Sequence, residues 1–139
     1  MIIKVLIIFI LLFVESNVSA NTNFFKEGVN LFNENKLKEA KFKFEQDIVY
    51  NPKNEKSYLY LSKIFKNFEK QDLVEQNLKT VILLDPKNEE AIYNLAKLKL
   101  EASDYKKSKE LNKKLMTICD KFCEKSKNLK TEIETLSKK

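Results

Sequence analysis

Cys119 and Cys123 are the only thiols in the chain and the first residues to consider for chemistry. Their spacing is C-x3-C, not the C-x-x-C of dithiol redox sites, and the chain has no His and no Arg to lower a thiol pKa. The same absences remove Ser-His-Asp and Cys-His nucleophile pairs, and with them the commonest metal ligand. Gly28 is the single glycine, so no phosphate-cradling loop is available. Paired carboxylates such as Glu89-Glu90 fall at a helix start, where negative charge suits the helix dipole without a catalytic role. An enzyme is therefore not expected, and no metal or cofactor is called for. What remains is surface chemistry: Lys, Asn and aromatic side chains that could hold another chain, and a thiol pair that is either a staple or a working couple.

The elements that position these residues follow from a repeat. The tetrapeptide Pro-Lys-Asn-Glu occurs at Pro52–Glu55 and again at Pro86–Glu89, 34 residues later, the period of a stacked helix-pair array. In that frame the chain divides into units 21–54, 55–88 and 89–122, with a tail at 123–139. Each unit reads as two helices. Phe24, Gly28 and Leu31 precede a turn near Asn33–Lys36, and Ala40, Phe44 and Ile48 follow it at helical spacing. Tyr58, Leu61 and Phe65, then Val74, Leu78, Val81 and Ile82, repeat the pattern around a break at Glu69–Gln71. Ile92, Leu95 and Ala96, then Tyr105, Leu111, Leu115 and Ile118, do so around Ser103-Asp104. Pro52 and Pro86 end the preceding helices, and Asn54, Asn88 and Asp104 are expected to cap the following ones. One Gly and two Pro leave little material for hairpins, so the expected class is all-α. Phe122, Leu129, Ile133 and Leu136 make one apolar face on a last helix that should close the open end of the stack.

Upstream of the repeats, Met1–Lys4 is a short basic start, Val5–Val14 is apolar throughout, and Val18-Ser19-Ala20 offers small residues to a signal peptidase. Residues 1–20 are expected to be a cleaved signal peptide. An uncleaved anchor is the alternative, although the apolar run is short of the roughly 20 residues that cross a bilayer. Export across the inner membrane, to the periplasm of a bacterial envelope, is the expected destination, and no span is expected in the mature chain. In such a compartment Cys119 and Cys123 should be oxidised. Residues four apart on an unbroken helix keep their Cβ atoms about 5–6 Å apart, beyond the roughly 3.5–4.5 Å a disulfide needs, so the bond requires a helix break. The repeat frame places a break there, since Asp120 stands in the position of the two prolines.

At these residues the units resemble tetratricopeptide repeats. Unit one carries Phe24, Gly28, Leu31, Ala40, Phe44 and Pro52 in the family's pattern; unit two carries Tyr58, Leu61, Ser62, Phe65, Val74, Leu78 and Pro86; unit three keeps Ile92, Leu95, Ala96 and Tyr105. It departs at Lys99, Ser108, Asn112 and Asp120, and unit one departs at Asp47, where a small residue is usual. The resemblance implies an α-solenoid of three helix pairs plus a capping helix, acting by protein binding. Some members clamp a C-terminal carboxylate on the inner face, but Phe25 and Val29 occupy two of the matching places here, so that activity is not carried over.

Every thirty-fourth residue on the inner face gives three columns: Phe25, Leu59 and Tyr93; Val29, Lys63 and Lys97; Phe32, Lys66 and Leu100. Tyr60, Asn67 and Asn94 flank them. An apolar entrance followed by lysines suits a peptide or helix segment of a partner protein, with an acidic part. The alternatives are a self-associating spacer in which Phe25 and Phe32 are buried in a homo-oligomer, and a thiol-dependent accessory factor working through Cys119 and Cys123. The formal charge of +6 lies wholly in residues 97–139, where 13 Lys face 7 acidic residues. That end could meet anionic lipid, cell-wall polymer or an acidic protein, while nucleic acid is not expected of an exported chain.

Overall fold

The computed structural model describes residues 23–138. The expected signal segment 1–20 lies outside the described residues. Seven helices follow in order: α1 (Phe24–Asn33), α2 (Leu37–Tyr50), α3 (Glu55–Asn67), α4 (Gln71–Leu84), α5 (Glu89–Glu101), α6 (Tyr105–Ile118) and α7 (Cys123–Leu136), with no strand among the described residues. The chain is all-α. Helices α2, α4 and α6 begin at residues 37, 71 and 105, and α3, α5 and α7 begin at 55, 89 and 123. Both series step by 34, so α7 stands where the first helix of a fourth pair would stand.

The turn inside each pair has one solution, used three times. Asn35, Glu69 and Ser103 adopt positive φ of 58°, 57° and 61°. In the first turn the Asn35 amide donates to the Phe32 carbonyl and the Lys36 amide to that of Leu31, at 3.0 and 2.9 Å. Glu69 and Lys70 repeat this with Lys66 and Phe65, and Ser103 and Asp104 with Leu100 and Lys99. The paired bonds satisfy the carbonyls left open at the helix end, and a left-handed residue is what lets the chain reverse tightly enough to make them.

Each helix packs on the next, and α5 also meets α7, so α1, α3, α5 and α7 form one layer and α2, α4 and α6 the other. The core between the layers holds Ala40, Phe44, Leu61, Ile64, Phe65, Val74, Leu78, Val81, Ile92, Leu95, Ala96, Leu111, Leu115, Leu129 and Ile133. Leu100 is also in it, 3% exposed, and so leaves the inner-face column in which its spacing placed it. The preceding Lys99 lies against α4, where it pairs with Glu75 at 2.7 Å.

Two caps form as expected and one does not. Asn88 Oδ1 accepts from the Ala91 amide and Asp104 Oδ1 from the Lys107 amide, each at 3.0 Å. Asn54 holds the same position on α3 but makes no such bond. Its side-chain amide instead donates to Asp47 Oδ2 at 2.7 Å, because the buried Asp47 carboxylate needs donors more than the helix end needs an acceptor. Asn51 and the Ser57 hydroxyl complete the set around Asp47, joining unit one to unit two.

The end of the array is fastened in three ways. Asn112 donates to the Ser126 carbonyl at 2.9 Å and accepts from its hydroxyl at 2.8 Å, both buried. The Phe122 amide donates to Glu89 Oε2 at 2.8 Å. Cys119 and Cys123 are joined by a disulfide across the break between α6 and α7, with Cα atoms 5.2 Å apart.

Candidate functional site

The first-helix layer carries the inner face, and its three junctions differ. Between α1 and α3, Phe25 and Phe32 pack on the Tyr60 ring at 5.9 and 5.1 Å, both edge to face. Phe44 stacks on the same ring from below at 4.8 Å. The aromatic entrance is therefore a closed cluster in which Phe25, Phe32 and Tyr60 are half-buried against one another, with Val29 and Leu59 half-buried beside the core. Spacing alone could not reveal this, because the partner of Phe25 and Phe32 lies 28 or more residues away.

Between α5 and α7 the face is covered by the closing helix. The Tyr93 ring lies 5.6 Å from that of Phe122, and the Lys125 ammonium sits over both rings. Lys97 donates to both carboxylate oxygens of Glu132 at 2.9 and 3.0 Å. That hydrogen bond, reinforced by the charge of Glu132, raises the Lys97 pKa above its ordinary value against a smaller opposing effect of burial. Tyr93 and Lys97 are thus engaged within the chain, and the open groove is shorter than the three columns implied.

Between α3 and α5 the face is open. A hollow of about 330 Å³ is lined by Phe32 of α1, Ser62, Lys63, Lys66 and Asn67 of α3, Glu90 and Asn94 of α5, and floored by Val74 and Leu78 of α4. Five of the expected residues, Phe32, Lys63, Lys66, Asn67 and Asn94, come together here. The repeat spacing did not flag Glu90. It pairs with Lys63 at 2.8 Å, and Lys63 also sits over the Tyr60 ring at 5.2 Å. Asn67 donates to the Lys63 carbonyl at 2.9 Å, which fixes its amide at the rim. Lys66 is exposed and has no ion pair among the described residues. The hollow therefore offers an apolar floor, an aromatic side, amides on two helices and one uncommitted cation. No described helix is long and apolar enough to cross a membrane.

The sequence matches no family model and no curated protein, so the comparison rests on structure. The chaperone SycD of Yersinia enterocolitica, in complex with a peptide of the translocator YopD, superposes with a TM-score of 0.74 at 15% identity, covering 90% of this chain and 99% of that one. The first tetratricopeptide domain of Spaghetti (RPAP3), bound to the HSP90 peptide SRMEEVD, gives 0.71 at 13% identity, covering 82% and 90%. The Sgt2 tetratricopeptide domain of Aspergillus fumigatus gives 0.70 at 16% identity, covering 88% and 84%. With its 34-residue period, its three identical turns and these superpositions, the chain has the tetratricopeptide-repeat fold.

Proposed function

We propose that this protein is a non-enzymatic interaction module of the bacterial envelope that binds a peptide or helical segment of a partner in the α3–α5 hollow. The observation that carries the reading is the hollow itself. It joins an apolar floor of Val74 and Leu78 to Lys66, Asn67 and Asn94 on one open face, while the junctions on either side are filled by the chain's own aromatic rings. A bulky apolar side chain of the partner would sit on the floor, and the partner's backbone would meet the two amides. Lys66 favours a carboxylate at the rim, whereas Glu90 offsets Lys63, so one acidic residue suits the site better than an acidic run. Two of the similar folds hold a bound peptide, which supports the class of partner and not its identity. The signal-like residues 1–20 and the Cys119–Cys123 bond support an extracytoplasmic place of work.

The test is site-specific photo-crosslinking in the native envelope, with the photoreactive residue at Asn94 and, as a control, at Tyr50 on α2. Adducts from position 94 alone, lost when Lys66→Glu is added, are the expected result. Equal adducts from both positions, or adducts only of the chain with itself, would overturn the groove and leave self-association.

A further inference from the structure

Each second helix of the array lies between two first helices: α2 meets α1 and α3, α4 meets α3 and α5, and α6 meets α5 and α7. Helix α7 has no such helix on its far side among the described residues. The face left there encloses, with the flank of α6, a hollow of about 240 Å³. Met116, 43% exposed, and the buried Ile133 are its apolar lining, beside an Asn112 amide already bonded to Ser126. Thirty-four residues before Lys130 and Glu134 of this lining stand Ala96 and Leu100 of α5, both buried. Helix α6 packs on that face, and its Ser108 hydroxyl donates to the Ala96 carbonyl at 2.8 Å. The hollow is therefore the seat that a second helix fills one repeat earlier.

Its rim is basic. Lys109 and Lys113 of α6 and Lys130 of α7 line it, all exposed, and the first two make no ion pair among the described residues. Lys106 and Lys127, three residues before Lys109 and Lys130, extend the same sides. The carboxylates are fewer, and most are engaged. Glu134 pairs with Lys130 at 3.9 Å, Glu110 with Lys107 at 2.8 Å, and Glu132 with Lys97 on the inner side. Glu124 falls half a turn round α7 from Ile133, and Asp120 stands in the loop beyond Met116.

We infer that this seat takes an acidic amphipathic helix of a partner protein, laid along α6 and α7 in the place of a second helix. Its apolar stripe rests on Met116 and Ile133, and its carboxylates meet Lys109, Lys113 and Lys130. Charge argues against a second copy, since none of the seven described helices has more than one acidic residue in excess of its lysines. A trough between two helices, with its apolar lining below a lysine rim, fits a rod better than a flat bilayer. The seat shares no residue with the α3–α5 hollow and needs no occupant there.

Residues 21–139, which include the whole described fold, are titrated into a fluorescein-labelled peptide of about five helical turns, with Leu at spacings of three and four and Glu on both flanks. Anisotropy should report binding that weakens with salt, and a peptide of the same composition in scrambled order should not bind. Lys109→Glu, Lys113→Glu and Lys130→Glu together, with helicity checked by circular dichroism, should weaken binding at least about tenfold. The same charge change made by Lys53→Glu, Lys70→Glu and Lys87→Glu should leave it within about twofold. Equal binding of the scrambled peptide, or no binding of the ordered one, would overturn the inference. So would binding that survives the α6 and α7 changes and is lost with Lys66→Glu in the hollow. A concentration-dependent dimer dissolved by those changes would give the seat to a second copy, and stronger retention on phosphatidylglycerol vesicles than on the peptide would give it to a bilayer.

Discussion

Gly28 and Phe44 are in contact with no space for a side chain between them. A Cβ on Gly28 would stand 2.8 Å from Phe44 Cε1 and 3.0 Å from Cδ1 and Cζ. The Phe44 ring is fully buried, stacked on Tyr60 with an interplanar angle of 13°, and bordered by Phe25, so it cannot step aside. In most helix interiors Gly→Ala stabilises by roughly 0.5–1 kcal/mol. Here Gly28→Ala should instead destabilise by about 1–3 kcal/mol through overpacking. Adding Phe44→Leu, which removes the touching ring edge, should make the alanine tolerable, so urea unfolding of the four-member cycle should give a coupling that favours the pair. A stabilising Gly28→Ala on its own would contradict the contact.

The Asp47 carboxylate is a second local exception to the repeat. It is 1% exposed and held by Asn51, Asn54 and Ser57, whereas 34 residues on, Val81 and Ala91 take the places of Asp47 and Ser57. Asp47→Ala should cost about 2–4 kcal/mol, because the buried Ser57 hydroxyl loses its acceptor and a void is left. Asp47→Val with Ser57→Ala introduces the Val81 and Ala91 pair of the next junction and removes the two fully buried polar groups together, leaving the more exposed Asn51 and Asn54 to water. That double variant should lie within about 1 kcal/mol of the parent, or be more stable. Thermal melts of the two variants decide it; a double variant as unstable as Asp47→Ala would contradict this account.

The Cys119–Cys123 bond closes a very short loop, which limits what it can contribute. The chain-entropy relation gives about 2 kcal/mol for a ring of this size. Because Asn112–Ser126, Phe122–Glu89 and Lys97–Glu132 also hold α7, the Cys119→Ser, Cys123→Ser variant should keep its helicity and melt several degrees lower. Partner adducts from position 94 should persist. Their loss in a folded variant would favour the thiol-dependent reading over the staple.

Much of this was legible in the sequence, for a physical reason: period and turn chemistry are local, and a 34-residue repeat states them three times. The helix breaks at 34–36, 68–70 and 102–104, and the break needed by the cysteines, could be read that way. The inner face was less legible, because exposure there depends on what the next helix brings. Tyr93 and Lys97 looked open until α7 set Phe122 and Glu132 against them, and Phe25 and Phe32 looked open until Tyr60 filled the space between. Glu90 carried no periodic signal at all. A pair such as Lys63–Glu90 is visible only when two repeats are stacked.

The three left-handed turn residues are not equally suited to their backbone. Asn35 tolerates positive φ, while Glu69 at 57° and Ser103 at 61° carry a Cβ that crowds the following carbonyl. Neither the Glu69 nor the Ser103 side chain is buried. Glu69→Gly removes the crowding without disturbing a contact and should stabilise by about 0.5–1 kcal/mol after its own entropy cost. Asn35→Gly should change little. Chemical denaturation of both, with the slope unchanged, tests the difference.

Lys99 replaces an expected aromatic residue and is only 18% exposed, so its ion pair with Glu75 at 2.7 Å is what makes that place habitable. Glu75 also accepts from Lys79 at 2.6 Å, and the two bonds, Lys79 first and Lys99 next, hold its pKa below the ordinary carboxylate value. A carboxylate with a folded pKa below its unfolded one adds stability above the unfolded value, about 4.3, and loses it as pH falls through the folded value. At neutral pH, Glu75→Gln should therefore cost a few tenths to about 1 kcal/mol, the discounted worth of a partly exposed pair. The difference between parent and variant should shrink below about pH 4.3 and vanish once the native carboxylate is protonated. Melting curves of both proteins between neutral and acid pH measure it, and a gap that stays constant through that range would show that Glu75 acts through packing and not through its charge.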